Sequence, residues 1–146
     1  MNPLFMRYLL IVAIAFAAST ALKANADPLP DSEALKVQGV VAAQLAAFAQ
    51  DDADSAFDTA TPAVRDAIGS SGRFLALVRG AYPMVYRPES VTFLKPEAQE
   101  GTVLQLVEIK DRDAKSWLAL FALEQQADAS WRISGCLVSE NPWKSA

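Results

Sequence analysis

Few side chains in this sequence could do chemistry. Among 146 residues there is one cysteine, Cys136, and there is no histidine. A thiolate nucleophile ordinarily relies on a neighbouring base, most often histidine, and a zinc site needs several Cys or His ligands. Cys136 is therefore read as a half-buried, inert thiol, with an intermolecular disulfide as the other reading. Asp51, Asp52, Asp54 and Asp58 form the densest acidic cluster. A calcium loop counted from Asp52 would place Phe57 where the turn glycine belongs and Ala63 where the closing glutamate belongs. Helix capping explains these carboxylates better, and no metal ligand and no catalytic residue is assigned.

Four residues remain as ligand-binding candidates. Tyr82, Tyr86 and Arg87 stand together in AYPMVYRPES. Two phenols and a guanidinium can orient a carboxylate or carbonyl, or the rings can simply pack on Pro83 and Pro88. Gln105 interrupts an apolar row, and a buried amide needs partners. It is either a pocket donor and acceptor or a cross-link from sheet to helix backbone. No residue pattern calls for a cofactor.

The elements that must position these residues follow from periodicity. Leu35, Val37, Val41, Leu45 and Phe48 recur at helical spacing, with Asp31 or Ser32 as the cap. A short helix capped by Asp52 or Asp54 comes next. Thr61-Pro62 opens another, carrying Val64 and Ile68, and Gly69-Ser70-Ser71-Gly72 ends it. A further helical run carries Phe74, Leu75 and Val78 and closes near Gly80. From Met84 the period changes, and four strands are expected near 90–96, 102–110, 115–126 and 130–139, joined by short turns as an antiparallel meander. Val103, Gln105, Val107 and Ile109 alternate with Leu104, Leu106 and Glu108. Both faces are largely apolar, so helices must cover one, which leaves the other for a partner or a pocket. On the last strand Cys136 is expected to share a face with Arg132, Ser134 and Val138, opposite Trp131, Ile133, Gly135 and Leu137. Trp117 and Trp131 are expected to be cross-strand neighbours.

Residues 1–26 read as a cleaved signal peptide. Arg7 precedes the apolar run Tyr8 to Leu22, and Ala24-Asn25-Ala26 is an A-x-A cleavage site. The run is shorter than the ~20 apolar residues of a membrane span, and no later stretch supplies one. The mature chain, 27–146, is then a single periplasmic or secreted domain. Losing Arg7 and Lys23 with the leader takes the net charge from −4 to −6. So acidic a domain is a poor partner for nucleic acid or anionic membranes.

Two stretches carry a resemblance. QLAAFAQDDADSAFDTATPAVRDAI resembles the opening of NTF2-like domains, and SWRISGCLV resembles their last strand. More specifically, FLALVRGAYPMVYRPESVTF, LQLVEIKDRDAKSWLALFALEQ and WRISGC together resemble the domain of unknown function family 4864, small exported bacterial proteins without an assigned activity. Members often carry Gly in the turn before the last Trp, where this chain has Ala127-Asp128-Ala129-Ser130. The resemblance implies an α+β fold: N-terminal helices on a curved four-stranded antiparallel sheet, the NTF2-like cone. It also implies a homodimer through the exposed sheet face. The function expected is a non-catalytic module that binds a small molecule or a protein. The alternative is a small isomerase- or hydratase-type enzyme using a carboxylate and a Tyr in the cone.

Overall fold

A computed structural model describes residues 29–144; the expected leader and its cleavage site lie outside them. Helix α1, Asp31–Ala49, turns Val37, Val41, Leu45 and Phe48 inward. Leu35, expected on the same stripe, is 69% exposed, because two residues before Val37 is about 200° round the helix, on the side away from the core. Neither expected cap operates: Pro30 precedes the helix with no side-chain bond, and Asp31 lies in the first turn. Helix α2, Ala53–Asp58, is capped by Asp52, which accepts from the Ser55 N–H at 3.2 Å. Thr61 caps α3, Pro62–Ile68, accepting from the Val64 N–H at 3.3 Å. The Gly-Ser-Ser-Gly stretch does more than stop α3. Gly69 takes φ 104° after α3, and Ser70 then caps α4, Ser71–Ala81. A fifth helix, α5 (Pro83–Tyr86), follows at once, with Pro at its first position where no N–H is needed.

The helical layer closes around an aromatic wedge. Phe74 of α4 meets Phe48 edge-on at 5.2 Å and Phe57 at 5.8 Å. Burying a side chain of that size contributes about 1.5–3 kcal/mol. Helices as short as α2 and α3 depend on such packing, since isolated helices below ~12–15 residues are marginal in water.

The sheet is antiparallel and has five strands, not the four expected: β1 (Ser90–Phe93), β2 (Glu97–Gln99), β3 (Thr102–Lys110), β4 (Ser116–Gln125) and β5 (Trp131–Glu140). The order is β1-β3-β4-β5, and β2 pairs with the other half of the β3 edge used by β1. Pro96 is the reason, because a residue without an N–H cannot continue a ladder. The edge strand breaks and resumes as a separate piece.

Strand β5 also departs from simple alternation. Ala122 faces Gly135 but Leu123 faces Ile133, so Ser134 is an extra residue in a β-bulge. The bulge inverts the parity after it, and Cys136 turns inward with Trp131, Ile133 and Val138, away from Arg132. The expected grouping of Cys136 with Arg132, opposite Trp131 and Ile133, is corrected on this ground, while its grouping with Val138 stands. The expected Trp pair is corrected as well: Trp117 lies opposite Glu140 and Trp131 opposite Gln125, at the two ends of the hairpin. The inner face carries Val103, Gln105, Val107, Ile109, Phe121 and Leu123 against the helices. The outer face carries the row Leu106–Leu120–Leu137, partly exposed.

Helices and sheet are joined by main chain as well as by packing. The Ile133 N–H donates to the Thr59 carbonyl at 2.7 Å, and the Thr61 N–H donates to the Ile133 carbonyl at 3.0 Å. The turn between α2 and α3 thus pairs with the free edge of β5.

The β3–β4 and β4–β5 turns each use an aspartate to hold a left-handed alanine, Ala114 at φ 66° and Ala129 at φ 73°. Asp111 accepts from the N–H groups of Asp113 (2.8 Å) and Lys115 (2.9 Å) and from Trp117 Nε1 (2.9 Å). Partial burial alone would raise its pKa, but the Trp117 bond and the two backbone donors prevail and lower it below 3.8. Its stabilising contribution is therefore complete above the ordinary aspartate pKa and is lost as pH falls through the lowered value. We expect Asp111→Asn to unfold more readily than wild type at about pH 6, with the gap closing towards about pH 2. Urea titrations across that range check this.

Candidate ligand-binding groove

The residues singled out in the sequence do not converge on one pocket. Tyr86 and Arg87 meet at Asp51, two residues after the end of α1, which takes φ 57°. The Tyr86 hydroxyl donates to Asp51 Oδ1 at 2.5 Å, and Arg87 Nη2 lies 3.2 Å from Oδ2. Arg79 Nη1 approaches the same carboxylate at 3.7 Å. Arg87 Nε also donates to the Ala49 carbonyl at 3.1 Å, and its guanidinium covers the Tyr86 ring at 4.6 Å. This is a carboxylate–tyrosine pair, but it lies on the surface and ties the C-terminal end of α1 to the start of the sheet. Tyr82 packs on the core from its margin.

Gln105 is fully buried on the inner face of β3. Its Nε2 donates to the carbonyls of Leu94 at 2.7 Å and Leu106 at 2.9 Å. Leu94 stands just before Lys95-Pro96, so the amide spans the gap where the edge ladder is broken. Its Oε1 has no hydrogen-bond partner among the described residues. These bonds join strand-side backbone to strand-side backbone rather than sheet to helix, so the expected link from Gln105 to helix backbone is not the one it makes.

The space between helices and sheet is nearly full. An interior cavity of about 10 Å³ lies among Phe48, Val64, Phe74, Val85, Ile133 and Cys136. That volume is comparable to a single water-sized probe. Burial in this apolar setting pushes the Cys136 thiol far above its ordinary pKa.

The large concave surface lies elsewhere, between α1, the α2–α3 turn and the β4–β5 hairpin. It is a groove of about 750 Å³. One face of α1 supplies Lys36, Gly39, Val40 and Ala43, at the three- and four-residue spacing that stacks side chains along a helix. Gly39 and Ala43 are small, and a Cβ on Gly39 would meet nothing within 4 Å. Asp58 and Thr59 come from the turn after α2, and Arg65 from α3. Trp131 and Arg132 come from the start of β5.

These walls are held firmly. Trp131 Nε1 donates to Glu33 Oε1 at 2.8 Å, and Glu33 also pairs with Lys36 at 3.2 Å. The Trp131 bond is the leading cause that lowers the Glu33 pKa, with Lys36 adding to it. Arg132 Nη1 donates to the Asp58 carbonyl. Gln44 Nε2 donates to Thr59 Oγ1 at 2.8 Å, which itself donates to the Ala56 carbonyl at 2.7 Å. Asp128 accepts from Ser130 Oγ at 2.6 Å and from its N–H at 3.0 Å, fixing the hairpin rim. Of the three cations in the groove, the sequence pattern singles out only Arg132, as a face-mate of Cys136 and within a family block, while Asp58 and Trp131 stand out for other reasons. Lys36, Arg65 and Arg132 are far apart in the chain, and no spacing rule connects them.

A family model described as Domain of unknown function (DUF4864) matches residues 30–146. The chain belongs to that family. No curated protein and no solved structure matches it.

A structural Gln105 predicts a large loss on truncation. We expect Gln105→Ala to cost about 2–4 kcal/mol, since it strips the Leu94 carbonyl of its donor and leaves a hole. Gln105→Met should cost less, because it keeps the volume and removes an acceptor that has no donor. Chemical denaturation of the two variants checks both values.

Proposed function

We propose that this chain is an exported, non-catalytic domain of NTF2-like architecture that binds a small molecule in the groove along α1. The observation that carries this reading is the contrast between the two spaces: about 750 Å³ outside α1 and about 10 Å³ inside the fold. Small-molecule sites typically measure roughly 300–1,000 Å³ and are mostly apolar with a few polar groups. Supporting the non-catalytic part is the inventory: no histidine, one buried thiol, and a Tyr86–Asp51 pair on the surface rather than in a pocket. The order of helices and then an antiparallel sheet is compatible with the NTF2-like architecture. The apolar leader and its A-x-A site support export to the periplasm or beyond. No described helix is long and apolar enough to cross a membrane.

A second reading, a homodimer, rests on a separate observation. Leu106, Leu120 and Leu137 align across three strands on the outer sheet face, and Leu137 is 41% exposed. A contiguous apolar strip of this kind favours a partner surface.

Native mass spectrometry of the protein from a periplasmic preparation, without reducing agent, tests both readings. We expect a chain beginning at Asp27 and carrying extra non-covalent mass that Gly39→Phe loses. Extra mass retained by Gly39→Phe would place the site outside the groove. A dimer that Leu120→Glu splits would support pairing through the sheet, and a monomer in wild type would end it.

A further inference from the structure

We propose that the groove selects a small organic anion, an oxyanion group joined to an apolar body, with Arg65 as the principal charge contact. This rests on the groove being the binding site.

The charge distribution is the first argument. The chain as a whole has more acids than bases, 17 against 13. The groove reverses that balance, with Lys36, Arg65 and Arg132 facing one acid, Asp58. Part of this cationic charge is already answered locally. Lys36 pairs with Glu33, and Arg132 feels Asp128 while giving Nη1 to a carbonyl. Arg65 differs from both. It makes no ion pair and no side-chain hydrogen bond among the described residues, and it is only partly exposed. A guanidinium presents five donors in a planar fork suited to two oxygens at once. Held on a concave wall with its charge unanswered, it is a ready contact for a carboxylate or a phosphate.

The second argument is the remainder of the lining. Val40, Ala43, Ala129 and the Trp131 ring are apolar, and Gly39 leaves room over the helix backbone. A bare inorganic ion would leave this surface unused. An anion with a hydrocarbon or ring body would cover it while its head reached Arg65. Carboxylate and phosphate heads share the recognition chemistry, and the experiment separates them.

Isothermal titration of the mature protein with octanoate, octyl phosphate and octan-1-ol, at low and high salt, is the test. The variants are Arg65→Gln and Gly39→Phe, with thermal melts as a folding control. Arg65 has no side-chain partner to orphan among the described residues and Gly39 has open space, so both variants are expected to fold. At least one anion should bind, and the tighter one identifies the preferred head group. The alcohol should be about tenfold weaker or worse, and Arg65→Gln should weaken the anion by about tenfold, as loss of a charge-assisted contact implies. If the alcohol matches the anions and Arg65→Gln changes nothing while Gly39→Phe abolishes binding, the groove reading survives and the anion class is wrong. If anion binding is untouched by both variants, the groove reading itself falls. No binding of either anion to wild type also overturns the proposed class.

Discussion

Two backbone hydrogen bonds at Ile133 tie the helical layer to the sheet, and much of the architecture depends on them. Ile133 lies on β5, whose outward edge would otherwise present unpaired N–H and C=O groups. Thr59 and Thr61 take up those groups, and the threonine side chains are already committed on the helical side. Thr59 Oγ1 joins Gln44 to the end of α2, and Thr61 Oγ1 caps α3. One short segment therefore ends one helix, begins the next, covers a strand edge and receives α1. The groove exists because the same segment is fixed: Asp58 and Thr59 stand opposite α1 at a set distance, and Arg132 is anchored to the Asp58 carbonyl.

The interior and exterior are specialised in opposite ways. Inside, Phe48, Phe74, Phe121 and Leu123 fill the volume to near closure, and one of the buried polar residues, Gln105, repairs an edge strand broken by Pro96. Outside, small residues along α1 leave space in a region where charge converges. Rigid packing behind α1 and open volume in front of it are complementary, since a site is only as well defined as the elements that carry it.

Much of this fold was legible in the sequence. The periods of Val37–Val41–Leu45–Phe48 and of Val103–Gln105–Val107–Ile109 identify α1 and β3 and the faces they bury. Thr61-Pro62 marks the start of α3 as it stands. What escaped has physical causes. A three-residue strand such as β2 carries no usable alternation, and its register comes from β3. The bulge at Ser134 is decided by pairing with Ala122 and Leu123, so simple alternation placed Cys136 on the wrong face. The tyrosine–arginine group was noticed for its chemistry, but its partner, Asp51, lies at the far end of another element and takes up that chemistry structurally. The groove escaped because its cations are brought together by topology alone.

The bulge has a consequence for how this strand can change. Trp131 and Val138 are seven positions apart, an odd number, yet both point inward. In an unbroken strand they would face opposite ways. Ser134 acts as a one-residue phase correction, so the strand has two reading phases joined at a fixed point. Loss or gain of a single residue near that point would turn either Trp131 and Ile133 or Cys136 and Val138 out to solvent. The β3–β4 and β4–β5 turns face no such parity constraint. Length variation in relatives should therefore accumulate in the turns and be excluded from the middle of β5.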